Sequence, residues 1–343
     1  MNKKILVCSW LSGKLFIDKS SGGSENRAYL LFNEISRYSR YKVSFFVNGN
    51  CRKRRINKMN VIFCSNNILK IAGEFLRLIK KQDHVCIFAI NRLTPLFIFL
   101  AKLNNKKIVY FLTCDADVGV GLENVPSYYK WIPKLTFSEV DVFIAQTEFQ
   151  YNILKERYKN KKIYLLKNPV IINPNDSIIG KEILWVGRND NTKGTDILQK
   201  IIIENPDKKF KIIGINKKDL SFNFENVNQL GKINQKEMYE HYKISKFIIS
   251  TSKIEGFPNV FLQAFANNKP IVSYIVNPDN FLEKSRGGFC ANGDLKDFQK
   301  YVDKLYNSKK KIKEMGNNGY NYIKKEHELK NISKQLIKIL DEL

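Results

Sequence analysis

Histidine is scarce in this chain, with three in 343 residues, at positions 84, 241 and 327. No two are close enough in the chain to suggest a paired imidazole site, which disfavours a metal-dependent hydrolase and implies no metal centre. The six cysteines, at 8, 51, 64, 86, 114 and 290, include no C-x-x-C pair. Scattered cysteines fit reduced thiols in a cytoplasmic protein better than a disulfide framework or a zinc site. Long apolar runs are lacking too. The stretch Phe97–Ala101 is much too short to span a bilayer. The opening "MNKKILVCSW" has lysines and one short apolar run, without a long apolar region or a small-residue cleavage site. It reads as a first buried strand rather than a signal peptide. The expected location is cytoplasmic, soluble or peripheral on the cytoplasmic face of a membrane.

Arginine is the rarer cation, 11 of 58 basic residues, in a chain of net charge +25. Guanidinium forks placed to read phosphates are therefore few, and lysine supplies most of the charge. No RNP-like aromatic pattern accompanies it. A basic RNA-binding protein is the weakest reading on both counts, and nucleic acid is not an expected partner. A solvated basic surface and a patch that meets anionic lipid both fit the charge. What the sequence does have is apolar material: 43% hydrophobic residues, enough for real cores. The length suits two domains of ordinary size or one large one.

Short β-branched and aromatic runs alternate with amphipathic stretches. Strands are predicted at Lys4–Val7, Lys42–Val47, His84–Ala89, Ile108–Leu112, Asp141–Ala145 and Ile163–Leu166, and helices over Arg27–Tyr38, Leu69–Lys80 and Glu148–Tyr158. "KNPVIINPNDSIIG", residues 167–180, holds two Asn-Pro pairs and reads as a linker. The rhythm restarts with strands at Glu182–Val186, Phe210–Gly214, Phe247–Ser250 and Pro270–Ser273, and the tail from Asp294 reads as helices broken near Gly316–Gly319. Such alternation predicts an α/β chain with mainly parallel sheets. Two Rossmann-like domains facing each other across a cleft are expected, residues 1–170 and 171–343, with the last helix able to pack back on the first domain. Ligands in such sheets bind beyond the carboxyl ends of the strands.

Three segments could carry chemistry. In "ILWVGRNDNTKGTDIL", residues 183–198, a buried strand ends at Val186, Gly187 lets the chain turn, and Arg188 follows; Lys193 and Gly194 precede the next helix. Two cations at the carboxyl edge of a parallel sheet suit a pyrophosphate, although a plain strand–turn–helix with solvated charges has the same pattern. In "TSKIEGFPNVFLQAF", residues 251–265, Glu255 precedes a Gly-Phe-Pro turn and a helix starting near Asn259. The helix N–H groups favour negative charge, and a carboxylate at the turn could accept hydrogen bonds from sugar hydroxyls or merely complement the helix dipole. In "SSGGSENRAYLLFNEI", residues 20–35, Gly22 and Gly23 precede a helix without the spacing of a dinucleotide or Walker fingerprint.

Taken together and in this order, these segments resemble glycosyltransferase family 4, retaining enzymes of the GT-B fold. "VGRNDNTKG" matches a Gly-Arg…Lys-Gly element, and "VNQLGKINQKEMYEHYKISKFIISTSKIEGFPNVFLQAFANNKPIVS" matches the family's most specific region. The resemblance implies a metal-independent enzyme that needs no cofactor beyond its nucleotide-sugar donor, a UDP- or GDP-sugar. Arg188, Lys193 and Glu255 would be catalytic, the cations on the donor diphosphate and the carboxylate on the transferred sugar. Gly22, Gly23, Gly187, Gly231, Lys232, Ile233, Gly256, Phe257, Pro258, Asn259, Val260 and Gln263 would border the donor. Gln263 stands where the family's E-x7-E motif has its second Glu; its carbonyl still accepts hydrogen bonds. The histidine that often follows one strand in the family is replaced by Cys114, with Asp115 and Asp117 nearby as acceptor-side candidates.

The expected activity moves a sugar to a hydroxyl of a glycan or lipid-linked acceptor, in cell-surface polysaccharide biosynthesis. A nucleotide-sugar-binding subunit with little activity is the alternative, suggested by Gln263 and the missing histidine; a sugar-nucleotide epimerase of the same fold is a further one. An anionic membrane surface is a candidate partner. Arg52, Lys53, Arg54, Arg55 and Lys58 form a basic cluster, and "ILKIAGEFLRLIKK", residues 68–81, is amphipathic with flanking lysines. Such a helix can lie in a membrane interface or pack on a sheet.

Overall fold

The computed structural model describes residues 3–18, 22–51, 53–172 and 177–343. The chain forms two compact units, one of Met1–Pro169 with Leu329–Leu343, the other of Val170–Glu328. The last helix, Leu329–Asp341, is thus counted with the first unit, and the second ends at Glu328.

The first unit is built on strands β1 (Lys4–Cys8), β2 (Lys42–Asn48), β3 (Arg54–Ile56), β4 (Met59–Cys64), β5 (His84–Phe88), β6 (Lys107–Phe111), β7 (Val142–Ala145) and β8 (Lys162–Leu165). They lie in the order β3-β4-β2-β1-β5-β6-β7-β8, parallel throughout except for the β3–β4 hairpin. Strands such as β1 and β5 are buried along most of their length because helices cover both faces, which is why they read as continuous apolar runs. One face packs Phe46, Phe75, Phe97, Tyr110 and Phe143, and the other packs Phe32, Phe45, Phe88 and Phe111. The terminal helix closes the second face with Ile332, Leu336 and Leu340.

Two features of the first unit bear on the basic cluster and on the two alternatives for residues 68–81. The basic cluster is an edge hairpin: Ile56 pairs with Met59 around Asn57, whose φ of 54° suits a tight turn. Lys53, Arg54 and Arg55 are exposed there, where charge on an edge strand discourages pairing with other chains; Arg52 lies outside the described residues. The helix Ile68–Ile79, capped by the Asn67 side chain, buries Ile71, Phe75, Leu78 and Ile79 in the core. Its apolar stripe is occupied by the sheet and is not free to enter a membrane interface.

The second unit has strands β9 (Glu182–Val186), β10 (Lys209–Ile213), β11 (Val227–Gly231), β12 (Ile248–Ser250), β13 (Ile271–Ser273) and β14 (Gly288–Cys290), in the order β11-β10-β9-β12-β13-β14 and all parallel. Numbered within the unit this is 3-2-1-4-5-6, the doubly wound order of nucleotide-binding sheets. The order reverses between β9 and β12, so the connections leave those two strands on opposite sides and a crevice opens at their carboxyl ends. Strands β11 and β14 escape a periodicity reading because each is short and interrupted by polar residues or glycine.

The tail is not broken at Gly316–Gly319. Both glycines lie inside one helix, Lys309–Glu326. A Cβ at Gly316 would overlap the carbonyl of Asn268, and one at Gly319 would overlap the Phe265 ring. Here glycine signals close helix packing against Asn259–Ala266 rather than a break. Of the linker, residues 173–176 lie outside the described residues. Its flanks are tied down by Val170 N–H donating to His327 O (2.8 Å) and Ile178 N–H donating to Lys243 O (3.1 Å). Among the described residues, no helix is long and apolar enough to cross a membrane.

Candidate active site

The carboxyl ends of β9 and β12 bring three of the predicted residues to one place. Arg188 and Lys193 lie on the loop after β9, and Glu255 on the loop after β12. Lys193 Nζ is paired directly with Glu255 Oε1, both side chains being largely buried. Ser252 Oγ donates to the same carboxylate oxygen (3.1 Å). Arg188 remains exposed and contacts Asp190 at 3.2 Å. The site therefore joins a largely buried Lys–Glu pair to an exposed guanidinium.

Local bonds hold this geometry. Asp190 caps the short helix Asn191–Lys193 through Thr192 N–H (3.1 Å). Trp185 Nε1 donates to Thr251 Oγ1 (2.9 Å), and that hydroxyl donates to Lys193 O (2.8 Å). Lys253 N–H donates to Thr192 O (2.7 Å). The loops after β9 and β12 are thus laced together across the point where the strand order reverses. Gly194 is required by the lacing: its φ is +61°, and a Cβ would overlap Thr251 O.

A row of glycines forms the floor. Gly187, Gly214 and Gly231 end or follow the adjacent strands β9, β10 and β11. Gly187 N–H donates to Ile213 O (3.0 Å) and Gly214 N–H to Gly231 O (2.7 Å). A Cβ on Gly214 would overlap Gly187 O, so these two backbones can lie flush only without a side chain at 214. Gly214 was missed as a functional candidate. Its signal was present: "WVG" and "IIG" each place glycine after an apolar stretch. Beside the row, Lys232 is exposed, Ile233 is partly buried, and Lys232 N–H donates to Asn216 Oδ1 (3.2 Å).

The Glu255 loop is anchored by aromatic packing. Gly256 and Pro258 are buried, and Phe257 meets Phe281 at 5.1 Å and His327 at 5.4 Å between ring centroids. The helix Asn259–Ala266 then begins without a side-chain cap from Pro258 and with no acidic residue in its first turn. Its N-terminus keeps its positive end toward the site. Asn259 and Gln263 are four residues apart on this helix and share a face with partly buried Val260 beside them.

The remaining predicted residues lie in the first unit. Gly22 is the N-cap residue and Gly23 the first residue of the helix Gly23–Tyr38; both are exposed, with the Glu25 carboxylate against Gly22. Arg27 of this helix was not singled out. It is buried and donates to Leu112 O (2.7 Å) and Leu166 O (3.0 Å), fastening the helix to the carboxyl edges of β6 and β8. Burial lowers its guanidinium to about 9, partly offset by Asp117. Asp115 accepts from Gln150 Nε2 (2.8 Å). Asp117 is 2% exposed. It accepts from Thr113 N–H (2.6 Å) and Cys114 N–H (3.3 Å), and burial pushes its carboxyl up to about 6. Both aspartates hold their loop through these bonds, and Asp117 is buried.

Residues 178–322, which contain Arg188, Lys193, Glu255 and the glycine row, match the family described as glycosyl transferases group 1. That stretch of the chain is similar to a glycosyltransferase group 1 domain. An uncharacterized glycosyltransferase of Methanocaldococcus jannaschii is 26% identical over 239 residues, a match spanning 66% of this chain and 66% of that protein. Sucrose-phosphate synthase from Thermosynechococcus elongatus has a similar structure, with TM-score 0.80 and 14% identity over 99% of this chain and 98% of that one. So does a trehalose-6-phosphate structure from E. coli bound with UDP-2-fluoro glucose, with TM-score 0.69 and 12% identity over 99% of each chain. The fold of the chain is thus GT-B-like, with parallel sheets in two Rossmann-like domains. In the matched stretch the Lys193–Glu255 pair stands at the strand-order reversal.

Proposed function

We propose that this chain is a retaining glycosyltransferase of family 4 that takes a sugar from a nucleoside diphosphate donor. The observation that carries the reading is the Lys193–Glu255 pair beside Arg188, above a floor of bare glycine backbone at the strand-order reversal. A diphosphate is a dianionic chain that can approach such a floor closely, and the cations and the helix N-terminus at Asn259 favour its charge. When the glycosidic bond breaks, negative charge grows on the leaving phosphate. In this reading Arg188 and Lys193 would stabilise that growth, with no metal ion required. Glu255, released from Lys193 by the incoming diphosphate, would accept hydrogen bonds from the transferred sugar. The sugar would leave and be attacked on one face, with the departing phosphate taking the acceptor's proton. The acceptor in this reading is a hydroxyl of a glycan or lipid-linked sugar in surface polysaccharide assembly.

A thermal-shift series with UDP-, GDP- and ADP-sugars tests donor binding, because a ligand held only by the folded chain raises its apparent stability. The expected result is a shift with one base and release of the matching nucleoside diphosphate when acceptor is supplied. Binding without turnover on any acceptor would favour a donor-binding subunit instead, and no shift with any nucleotide sugar would overturn the reading.

A further inference from the structure

Two helices of the first unit carry the same exposed pattern. "FLAKL" at 99–103 and "WIPKL" at 131–135 each place an aromatic residue, a lysine and a leucine at i, i+3 and i+4, which is one stripe of a helix. The helices are Thr94–Leu103 and Tyr128–Thr136. They touch each other and bury their opposite sides, through Phe97, Ile98, Ala101 and Ile132, in one core. What they turn outward is unusual for a solvated face: Leu103 is 79% exposed, Leu135 51%, Trp131 48% and Phe99 38%. Lys102, Lys130 and Lys134 are exposed among them, as is Arg92 just before the first helix.

Acid is scarce in the segments that form this face. No Asp or Glu occurs from Arg92 to Lys107, or from Val125 to Ser138. Among the contacts of the described residues, Asp141 lies 3.8 Å from Lys102 and 3.9 Å from Lys107, leaving Lys130 and Lys134 as the cations beside Trp131 and Leu135. Large apolar groups ringed mainly by cations are poorly matched to water and to ordinary acidic-basic protein surfaces. A second copy of the chain is also a poor occupant, since a two-fold contact would set these lysines against their own equivalents. Anionic lipid matches both halves of the pattern. Leucine and phenylalanine enter the acyl boundary, tryptophan sits at the headgroup level, and lysine meets phosphate.

We propose that the paired helices Thr94–Leu103 and Tyr128–Thr136 form a docking surface for an anionic lipid bilayer. Phe99, Leu103, Trp131 and Leu135 insert, and Lys102, Lys130 and Lys134 anchor. This replaces the buried stripe of Ile68–Ile79 as the apolar contact, and it does not depend on the transferase reading.

The molecule holds its own reporter. Trp131 is exposed, whereas Trp10 (7%) and Trp185 (2%) are buried. The full chain, without nucleotide sugar, is mixed with phosphatidylcholine vesicles with or without phosphatidylglycerol, and followed by co-sedimentation and tryptophan emission. Expected are binding that needs phosphatidylglycerol and falls with salt, a blue shift, and quenching by brominated lipid. Leu103→Ser with Leu135→Ser should weaken partitioning about tenfold or more, from lost apolar burial. Lys102→Gln with Lys134→Gln should weaken it several-fold and flatten the salt dependence. Arg54→Ser with Arg55→Ser, on the edge hairpin, should change it much less. These positions are exposed, and circular dichroism checks that the variants fold. The proposal is overturned by wild-type partitioning in the Leu103→Ser/Leu135→Ser chain, by no binding at low salt, or by light scattering that shows a dimer shielding Trp131 without lipid. Because no sugar donor is present, none of these outcomes bears on whether the chain transfers sugar.

Discussion

At the scale of single residues, the Lys193–Glu255 pair makes the sharpest predictions. Lys193 contacts Glu255 directly, so the two variants should part company. Lys193→Ala removes a cation from the developing phosphate charge, and turnover should fall on the order of 10²–10³-fold. Glu255→Gln should also depress transfer, yet leave binding of the free nucleoside diphosphate unchanged or tighter, because Lys193 loses its competing carboxylate. Isothermal titration with the free diphosphate beside steady-state kinetics checks the split; weaker diphosphate binding in Glu255→Gln would refute it. Gln263→Glu places a carboxylate one helical turn beyond Asn259 and should preserve or strengthen donor affinity in the same titration. Lys269 offers a pH test. It is buried, donates only to the Ile178 carbonyl among the contacts described, and burial lowers its ammonium from 10.5 to about 8. Below pH 8 both folded and unfolded chains hold the proton, and the folded state bears the cost of burying it. Between 8 and 10.5 the unfolded chain binds the proton more tightly, so this group's contribution to stability rises with pH. Urea unfolding should show wild type gaining on Lys269→Met across that window, by up to about 3 kcal/mol. A flat difference would mean the ammonium is solvated.

At the scale of elements, packing overrules local preference in the helix Lys309–Glu326. Helix propensity alone makes Gly→Ala favourable by about 1 kcal/mol. At Gly316 the added methyl meets the Asn268 carbonyl, and the helices must move apart. Gly316→Ala should therefore lower stability, by roughly 1–3 kcal/mol as overpacking does, measured by chemical denaturation. A gain in stability would show that the neighbouring turn yields freely. The same contrast explains the helix Ile68–Ile79. Its strong amphipathicity fits a membrane interface and a sheet face equally well, and the buried Ile71, Phe75, Leu78 and Ile79 decide for the sheet. The strands that carried clear apolar runs, such as β1, β5 and β9, fall where periodicity places them. β3, β11 and β14 do not announce themselves, because their pairing partners supply what their own sequences lack.

At the scale of the whole molecule, the chain leaves the first unit at Pro169 and returns to it at Leu329. The last helix supplies Ile332, Leu336 and Leu340 to the first core, and Asp341 bonds to Arg40 (2.8 Å) and Tyr41 (2.5 Å). Ending the chain after Glu328 should therefore damage the unit made from the opposite end of the sequence. Limited proteolysis with mass analysis should show residues 3–169 of the shortened chain cut readily while 170–328 persist. Equal protection of both segments would mean the helix is an appendage.

The sequence by itself determined the α/β class, most of the strands, and three residues that the fold brings to the strand-order reversal. Arg188, Lys193 and Glu255 were legible because strand–Gly-Arg, Lys-Gly and Glu-Gly-Phe-Pro are local patterns, each set by a strand end, a turn or a helix start. Tertiary structure alone decided what lies far apart in the chain. It set Gly214 flush with Gly187, turned Asp117 inward, buried Arg27 against carbonyls 85 and 139 residues away, and gave the last helix to the first unit. It also sorted two amphipathic surfaces, burying one and exposing the other. The physical reason is the same in each case. Turns and caps are fixed by neighbours within a few residues, whereas burial depends on which distant segments fill the remaining space.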